Sequence, residues 1–354
     1  MKNSYGTKKI MTYLLLLLIV LLGVFTMGLL MGTVKITPLE IYHILLKDVS
    51  FDTVLESGLS YEAGYDIIWH LRLPRLFLAI CVGVGLSVCG VVMQAAVRNP
   101  LADPYILGIS SGAALGANLA IFLGIGRIFG ANFIGVLAFL GALGVSFAVI
   151  LISNIGGRSN TIKLLLSGMA LNAVCSALSS SFVYFFGDPQ KIQQLTFWLM
   201  GSLSGANWEN LAFLIPLILL GNFFFWSQSR VLNLMLVGED VALTLGVNLH
   251  RYRQLYLIVS SLLIGFLVYS SGMIGFVGLM IPHVTRMLIG NSHWKVIPFS
   301  ALIGAIFIVG ADILCRSLIS KGEIPIGLLI SLLGAPCFIY LIISKSYGFG
   351  GNRT

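Results

Sequence analysis

The sequence predicts an all-α integral membrane protein of about ten transmembrane helices, with a short cytoplasmic helix and a broken, re-entrant segment near 272–290. Three observations carry this. Of 354 residues, 58% are hydrophobic and only 10% charged, against roughly 25% charged in a soluble globular protein. The mean hydropathy is +0.98, so the solvent of this fold is a bilayer. Apolar runs of the length a helix needs to cross hydrocarbon, about 20 residues, recur from end to end. The net charge of +8 bears on orientation, because no Arg/Lys stripe with interleaved aromatics marks a nucleic-acid surface.

The candidate spans are 11–33, 68–97, 105–125, 131–154, 162–186, 209–228, 253–272, 280–290, 296–318 and 325–344. They form one integrated membrane domain, 1–354, with an extracytoplasmic segment at 34–67 and a cytoplasmic loop at 234–252. Lys2, Lys8 and Lys9 precede the first run, Met11 to Met31. That run is about twice a signal-peptide core and no A-x-A-like site follows, so it reads as a retained span. In the segment after it, Thr37-Pro38-Leu39-Glu40 reads as a helix start. Thr37 caps, Pro38 suits the first helical position and Glu40 completes a capping box, predicting a short helix over about 38–47.

Between the second and third spans lies RNPLADP, Arg98 to Pro104. Pro100 and Pro104 lack backbone donors and push Asn99 and Asp103 out of the helical region. Asn99 and Asp103 can instead bond local backbone. The expectation is a fixed, non-helical reversal at the membrane face: a stiff turn, or a constriction at the cytoplasmic mouth of a pathway. In the constriction reading, Asn99, Pro100 and Leu101 narrow the mouth together with the turn at Ser159, Asn160 and Thr161. Gly83, Gly85, Gly90, Gly112 and Gly116 fit close helix packing. Cys81, Cys89, Cys175, Cys315 and Cys337 all fall in apolar runs and read as small core residues.

Leu236 to Gln254 is the longest polar interruption on the inner side. Gly238, Glu239 and Asp240 start a short helix with acids at its positive end. Ala242 and Leu245 give it a small-and-apolar face, and Gly246 ends it. Gly272 to Gly290 places four glycines and a proline in an apolar run, which predicts a broken helix followed by a short span. His283 and Arg286 share a face there; a single His makes a poor metal site, and no metal or cofactor is expected.

With the N-terminus in the cytoplasm and ten spans, thirteen of the 21 Lys and Arg residues fall inside and eight outside. This bias puts both termini in the cytoplasm. Of the acidic residues only Asp312 lies well inside a span, one turn before Arg316, and the two read as a local ion pair near the outer face.

Taken together, RLPR at 72–75, RNPLADP with the following LGISSGAALGA, GEDVALTLG, IGFVGLMIPHVTR and GEIPIGLLISLLGAP resemble the FecCD permeases, the membrane subunits of bacterial ABC importers for iron–siderophores, haem and cobalamin. The resemblance spans nearly the whole chain. It departs from the family only in detail, with Cys81, Cys89 and Cys315 where small apolar residues are expected. It implies a multi-pass subunit of the bacterial cytoplasmic membrane, paired with a second permease subunit, identical or paralogous. It also implies two ATP-binding ABC subunits, and an extracellular substrate-binding lipoprotein or periplasmic protein that delivers the ligand. The chain itself has no GxxxxGK[ST] phosphate loop, so it is expected to be a transport subunit and not an enzyme. Glu239 to Gly246 is then the helix expected to enter a cleft on the ATPase (helix-in-groove packing). Arg72, Arg75 and Arg316 match the positions expected to receive an acidic residue from each lobe of the binding protein; ordinary snorkelling into headgroups is the other reading. The expected cargo is a ferric siderophore, with haem or cobalamin as alternatives. A secondary transporter would normally carry intramembrane acids for ion coupling. An intramembrane hydrolase would need a deep His or Asp beside one of the many serines. The sequence offers neither arrangement.

Overall fold

A computed structural model describes residues 3–32, 34, 36–46, 60–103, 105, 108–155, 161–319 and 322–344. Among these, every regular element is a helix. In chain order they are α1 (Asn3–Leu30), α2 (Pro38–Leu46), α3 (Tyr61–Asp66), α4 (Leu73–Val97), α5 (Ile109–Leu123), α6 (Phe133–Asn154), α7 (Thr161–Phe186) and α8 (Pro189–Leu199). They continue with α9 (Trp208–Ser227), α10 (Ser229–Val237), α11 (Glu239–Thr244), α12 (Leu249–Ser271), α13 (Val277–Ile289), α14 (His293–Ser317) and α15 (Ile326–Ser344). Seven helical stretches are long and apolar enough to cross a membrane: α1, α3 through α4, α6, α7, α9, α12 and α14. Three shorter apolar helices, α5, α13 and α15, accompany them. Each of the ten spans read from the sequence coincides with one of these.

Helix α4 is the hub. It packs against α12, α13 and α14, and nearly all its residues are buried. Small residues make this possible. A Cβ at Gly83 would collide with the Gly304 carbonyl of α14, and one at Gly90 with the Gly278 carbonyl of α13. Gly112 and Gly116 of α5 meet the backbone of α6 at Gly141 and Leu137 in the same way. No hydrophobic force drives helices together in lipid, so close backbone approach supplies the packing energy. Cys81, Cys89, Cys175 and Cys315 are buried, Cys337 is half-buried, and all five are free thiols.

Local signals produced local structure. The Thr37 N–H donates to Glu40 Oε2 at 2.6 Å and the Glu40 N–H to Thr37 Oγ1 at 3.4 Å, which is the reciprocal capping box. Ahead of Pro74 the chain forms a π-helical stretch, Ile67–Arg72, with the Leu73 N–H bonded to Ile68 O. Residues 272–276 are non-helical, Phe276 has φ 64°, and α13 begins only at Val277. That is the break expected from the four glycines. Three helices were not foreseen; the first, α3 (Tyr61–Asp66), lies in an acidic stretch that no apolar run announces, and Ser60 caps it by accepting from the Ala63 N–H. Helix α8 starts at Asp188-Pro189, where Asp188 Oδ1 accepts from the Lys191 N–H at 2.9 Å. An Asp-Pro helix start is legible in sequence, but α8 is too short and polar to register as a span. Helix α10 was hidden because α9 runs into it with a single intervening residue, Gln228.

Candidate functional site

The bundle has two ends, named here by the residues that mark them. At the Glu239 end, α4 finishes in a Schellman turn. The Arg98 N–H bonds Ala95 O at 3.2 Å and the Asn99 N–H bonds Gln94 O at 3.1 Å. Arg98 holds φ 53°, a left-handed conformation usually given to glycine. Asn99 Oδ1 then accepts from the Leu101 N–H at 2.9 Å, and Asp103 Oδ1 from the Tyr105 N–H at 2.7 Å. Both side chains therefore bond local backbone, as their flanking prolines predict. Burial pushes the Asp103 carboxyl up to about 6, partly offset by the Tyr105 N–H. Leu101 is exposed and Ala102 is buried. Of the expected partners across the mouth, Thr161 is the first residue of α7, while Ser159 and Asn160 lie outside the described residues.

Beside this turn stands α11. Gly238 has φ 134°, open only to glycine. Gly246, at φ 74°, closes the helix: its N–H reaches Leu243 O at 3.0 Å and the Val247 N–H reaches Ala242 O at 2.9 Å. One expectation is corrected here. Ala242 does not share an outward face with Leu245. It is fully buried under α11, against the chain's own core, while Val241, Leu243 and Leu245 are exposed. In so short a helix a small residue marks the face that lies closest to its own protein, because only a methyl group fits there. Glu239 and Asp240 remain exposed at its start.

At the Arg72 end, a second expectation is corrected. Arg72, Arg75 and Arg316 do converge, but they do not form a free cationic face. Arg72 is buried and donates to the carbonyls of Leu29, Leu30 and Val34. Arg316, also buried, donates to Met31 O and Gly28 O, each at 3.2 Å. Both thus satisfy the carbonyls left open where α1 ends, and their charge suits the negative end of its dipole. Arg316 Nε also lies 3.0 Å from Asp312 Oδ2, the ion pair expected one turn apart. Arg75 Nε meets Asp312 Oδ1 at 2.7 Å, and its Nη1 meets Glu323 Oε2 at 2.7 Å. The cluster lines a cavity of about 260 Å³ bordered by Gly32, Leu71 and Ser204. Next to it, a cleft of about 460 Å³ opens between Arg75, Trp198, Ser202 and Glu323.

Sequence reading missed Gln94. It is fully buried in α4, and its Nε2 donates to Gly278 O at 3.4 Å and Leu279 O at 3.3 Å. Its Oε1 accepts from Arg286 of α13. A lone Gln in an apolar run signals a buried polar tie, though not the identity of its partner. Helix α7 carries the other overlooked feature. Met169, Asn172, Ala173, Ser176 and Ser180 share one face, and all are exposed. A small, polar stripe on a spanning helix is not a lipid-facing surface; it belongs against protein or a watery passage. Among the described residues, no group of three or more His, Cys, Asp or Glu side chains could hold a metal ion.

This architecture, a multi-pass helical bundle with a broken helix at its core and a short exposed helix at one end, defines a membrane permease. Residues 16–344 match the FecCD transport family, and the chain belongs to it. It is 42% identical over 288 residues to the hemin transport system permease protein HmuU of Yersinia pestis, covering 79% of this chain and 85% of that one. It is 38% identical over 294 residues to the cobalamin import system permease protein BtuC of Halobacterium salinarum, covering 83% and 78%. Among solved structures it matches an inward-facing ABC transporter of the metal-chelate type, with a TM-score of 0.81 and 34% identity over 94% of this chain and 99% of that one. The protein is the permease subunit of an ABC importer, a class whose ATPase is a separate subunit.

Proposed function

We propose that this chain forms half of the passage through which an iron chelate, a ferric siderophore foremost, enters a bacterial cytoplasm. The observation that carries the reading is the unburied Asn172–Ser176–Ser180 stripe of α7. It is weakly polar and without charge, as suits a bulky chelate that must pass without being held. A second permease chain facing this stripe completes the passage. The Glu239 end faces the cytoplasm, in keeping with the Lys/Arg bias. There the exposed Val241, Leu243 and Leu245 of α11 enter the cleft of an ATP-binding subunit. Asn99, Pro100 and Leu101 form the mouth. The Arg72 end faces outward and receives the binding protein through Arg75 and the surrounding cleft, with Arg72 and Arg316 holding the shape of that surface from beneath. The metal-chelate likeness of the matched structure supports the choice of cargo. Haem is the second reading, favoured by the 42% identical hemin permease.

The test is uptake of labelled ferric siderophore, haem and cobalamin into proteoliposomes holding the permease, its ATPase and its binding protein. ATP-dependent entry of the siderophore is expected. Entry of haem alone would shift the cargo assignment, and entry without any ATPase would make the chain a secondary transporter.

A further inference from the structure

We propose that Arg253 is a positioning residue that transmits movement of α11 to the mouth turn at the end of α4. The inference rests on the reading of α11 as the ATPase-docking helix and of residues 99–101 as the mouth.

The reasoning begins with Pro100. In a continuing helix, the carbonyl of Ala96 would accept from the N–H four residues on, but Pro100 has none. Arg253 of α12 fills the gap: its Nε donates to Ala96 O at 3.0 Å. The same guanidinium, only 2% exposed, donates through Nη2 to Glu239, the first residue of α11. Nη1 is buried with no hydrogen-bond partner among the described residues. Among the described residues the guanidinium is therefore hydrogen-bonded to two anchors, one on α4 and one on α11. The Arg253 cation, buried away from water, does not leave its carboxylate cheaply, although Glu239 itself reaches the surface. If the ATPase displaces α11, Glu239 carries Arg253 with it, and Arg253 pulls on the last turn of α4. Arg98 closes the corner from the other side: a Cβ on Gly238 would lie 3.6 Å from Arg98 Nη2. Thus the residue that leads into the mouth turn stands beside the residue that precedes α11. The fork of an arginine suits this bridge, because separate nitrogens of one rigid group meet the carbonyl and the carboxylate, whereas lysine would have to meet both from one nitrogen at the end of a flexible stem.

The test uses the complete reconstituted transporter. Two quantities are read: chelate imported per ATP hydrolysed, and the maleimide labelling rate of Leu101→Cys, with the five native cysteines replaced, in the nucleotide-free and ATP-trapped states. Arg253→Lys should lower import per ATP about tenfold, within the range by which single residues shift coupling, and should abolish most of the nucleotide-dependent difference in labelling. A merely structural role would reduce assembly, hydrolysis and import together and leave the ratio unmoved. Should Arg253→Lys fail to assemble, Glu239→Gln, whose side chain lies at the surface, is expected to show the same loss of ratio. Wild-type import per ATP and a wild-type labelling difference in either assembled variant would overturn the proposal. Labelling that ignores nucleotide in the unsubstituted transporter would overturn the mouth reading beneath it, a distinct result.

Discussion

Arg75 on α4 and Asp312 on α14 are joined by a 2.7 Å ion pair whose carboxylate is wholly buried. Asp312 also pairs with Arg316, so one acid is shared by two guanidiniums that tie α4, α14 and the end of α1 together. Replacing Asp312 with Asn leaves Arg316 without its charge partner and Arg75 with only Glu323. The expected cost is about 3–5 kcal/mol, the usual penalty for breaking a buried pair. Thermal unfolding of the purified permease in detergent should show a large drop for Asp312→Asn; an unchanged midpoint would mean that the cluster contributes nothing to stability.

The same cluster changes how binding-protein docking should be probed. Reversing the charge at Arg72 would aim a carboxylate at the carbonyls of α1 and damage the fold, so loss of uptake there would say little about docking. Glu323 is exposed and shares Arg75 with Asp312. Glu323→Gln should free part of the Arg75 charge for an incoming acid. Association with the binding protein should then quicken at low salt and lose that gain as salt is raised. Stopped-flow or surface-binding kinetics at two ionic strengths would check this, and unchanged rates at low salt would count against Arg75 as a docking residue.

Close glycine contacts give a paired prediction. Gly90→Ala forces a methyl group into the Gly278 carbonyl, and overpacking of this kind costs about 1–3 kcal/mol. Gly144, in α6, has nothing within 4 Å of where its Cβ would be. Gly144→Ala should therefore be neutral or gain roughly 0.5–1 kcal/mol from reduced backbone freedom. The two melting temperatures should move in opposite directions, or one should move alone.

For α11, the buried and exposed faces separate stability from partner binding. Ala242→Leu should destabilise the permease itself, by about 1–3 kcal/mol, because Ala242 is fully buried against the core and a larger side chain would overpack it. Leu245→Asp should leave the melting temperature near that of the unsubstituted chain and reduce recovery of the ATPase in co-purification. If Leu245→Asp retains the ATPase fully, the exposed apolar face is not the docking surface.

Asp103 supplies a pH prediction. Burial holds its folded pKa at about 6, above the ordinary 3.8 of an aspartate, so the folded state binds this proton more tightly than the unfolded chain does. Stability contributed by the protonated form is present below the unfolded pKa and is lost as pH rises through the window between those values. Asp103→Asn keeps the acceptor for the Tyr105 N–H and cannot ionise. Its melting temperature should exceed that of the unsubstituted protein at pH 7, with the gap closing towards pH 4. A gap independent of pH would assign the effect elsewhere.

What the sequence determined by itself is what neighbouring residues decide. The ten apolar runs, the Thr37–Glu40 capping box, the Asx turns of Asn99 and Asp103, the Gly246 helix stop and the break before Phe276 all follow from local sterics, missing donors and short-range hydrogen bonds. Those rules act over a few residues and need no knowledge of the fold. Tertiary structure alone decided which polar groups meet. Arg316 finds the carbonyl of Met31, 285 residues away, and Arg286 finds Gln94, 192 residues away. It also decided that Ala242 faces inward, that Arg72 serves α1, and that Arg253 joins Glu239 to Ala96. The reason is physical. In water a helix announces its buried face by an apolar stripe, but a membrane helix is apolar on every side, so its pattern does not say where its neighbours lie. Only the packed bundle brings each stranded charge to its partner.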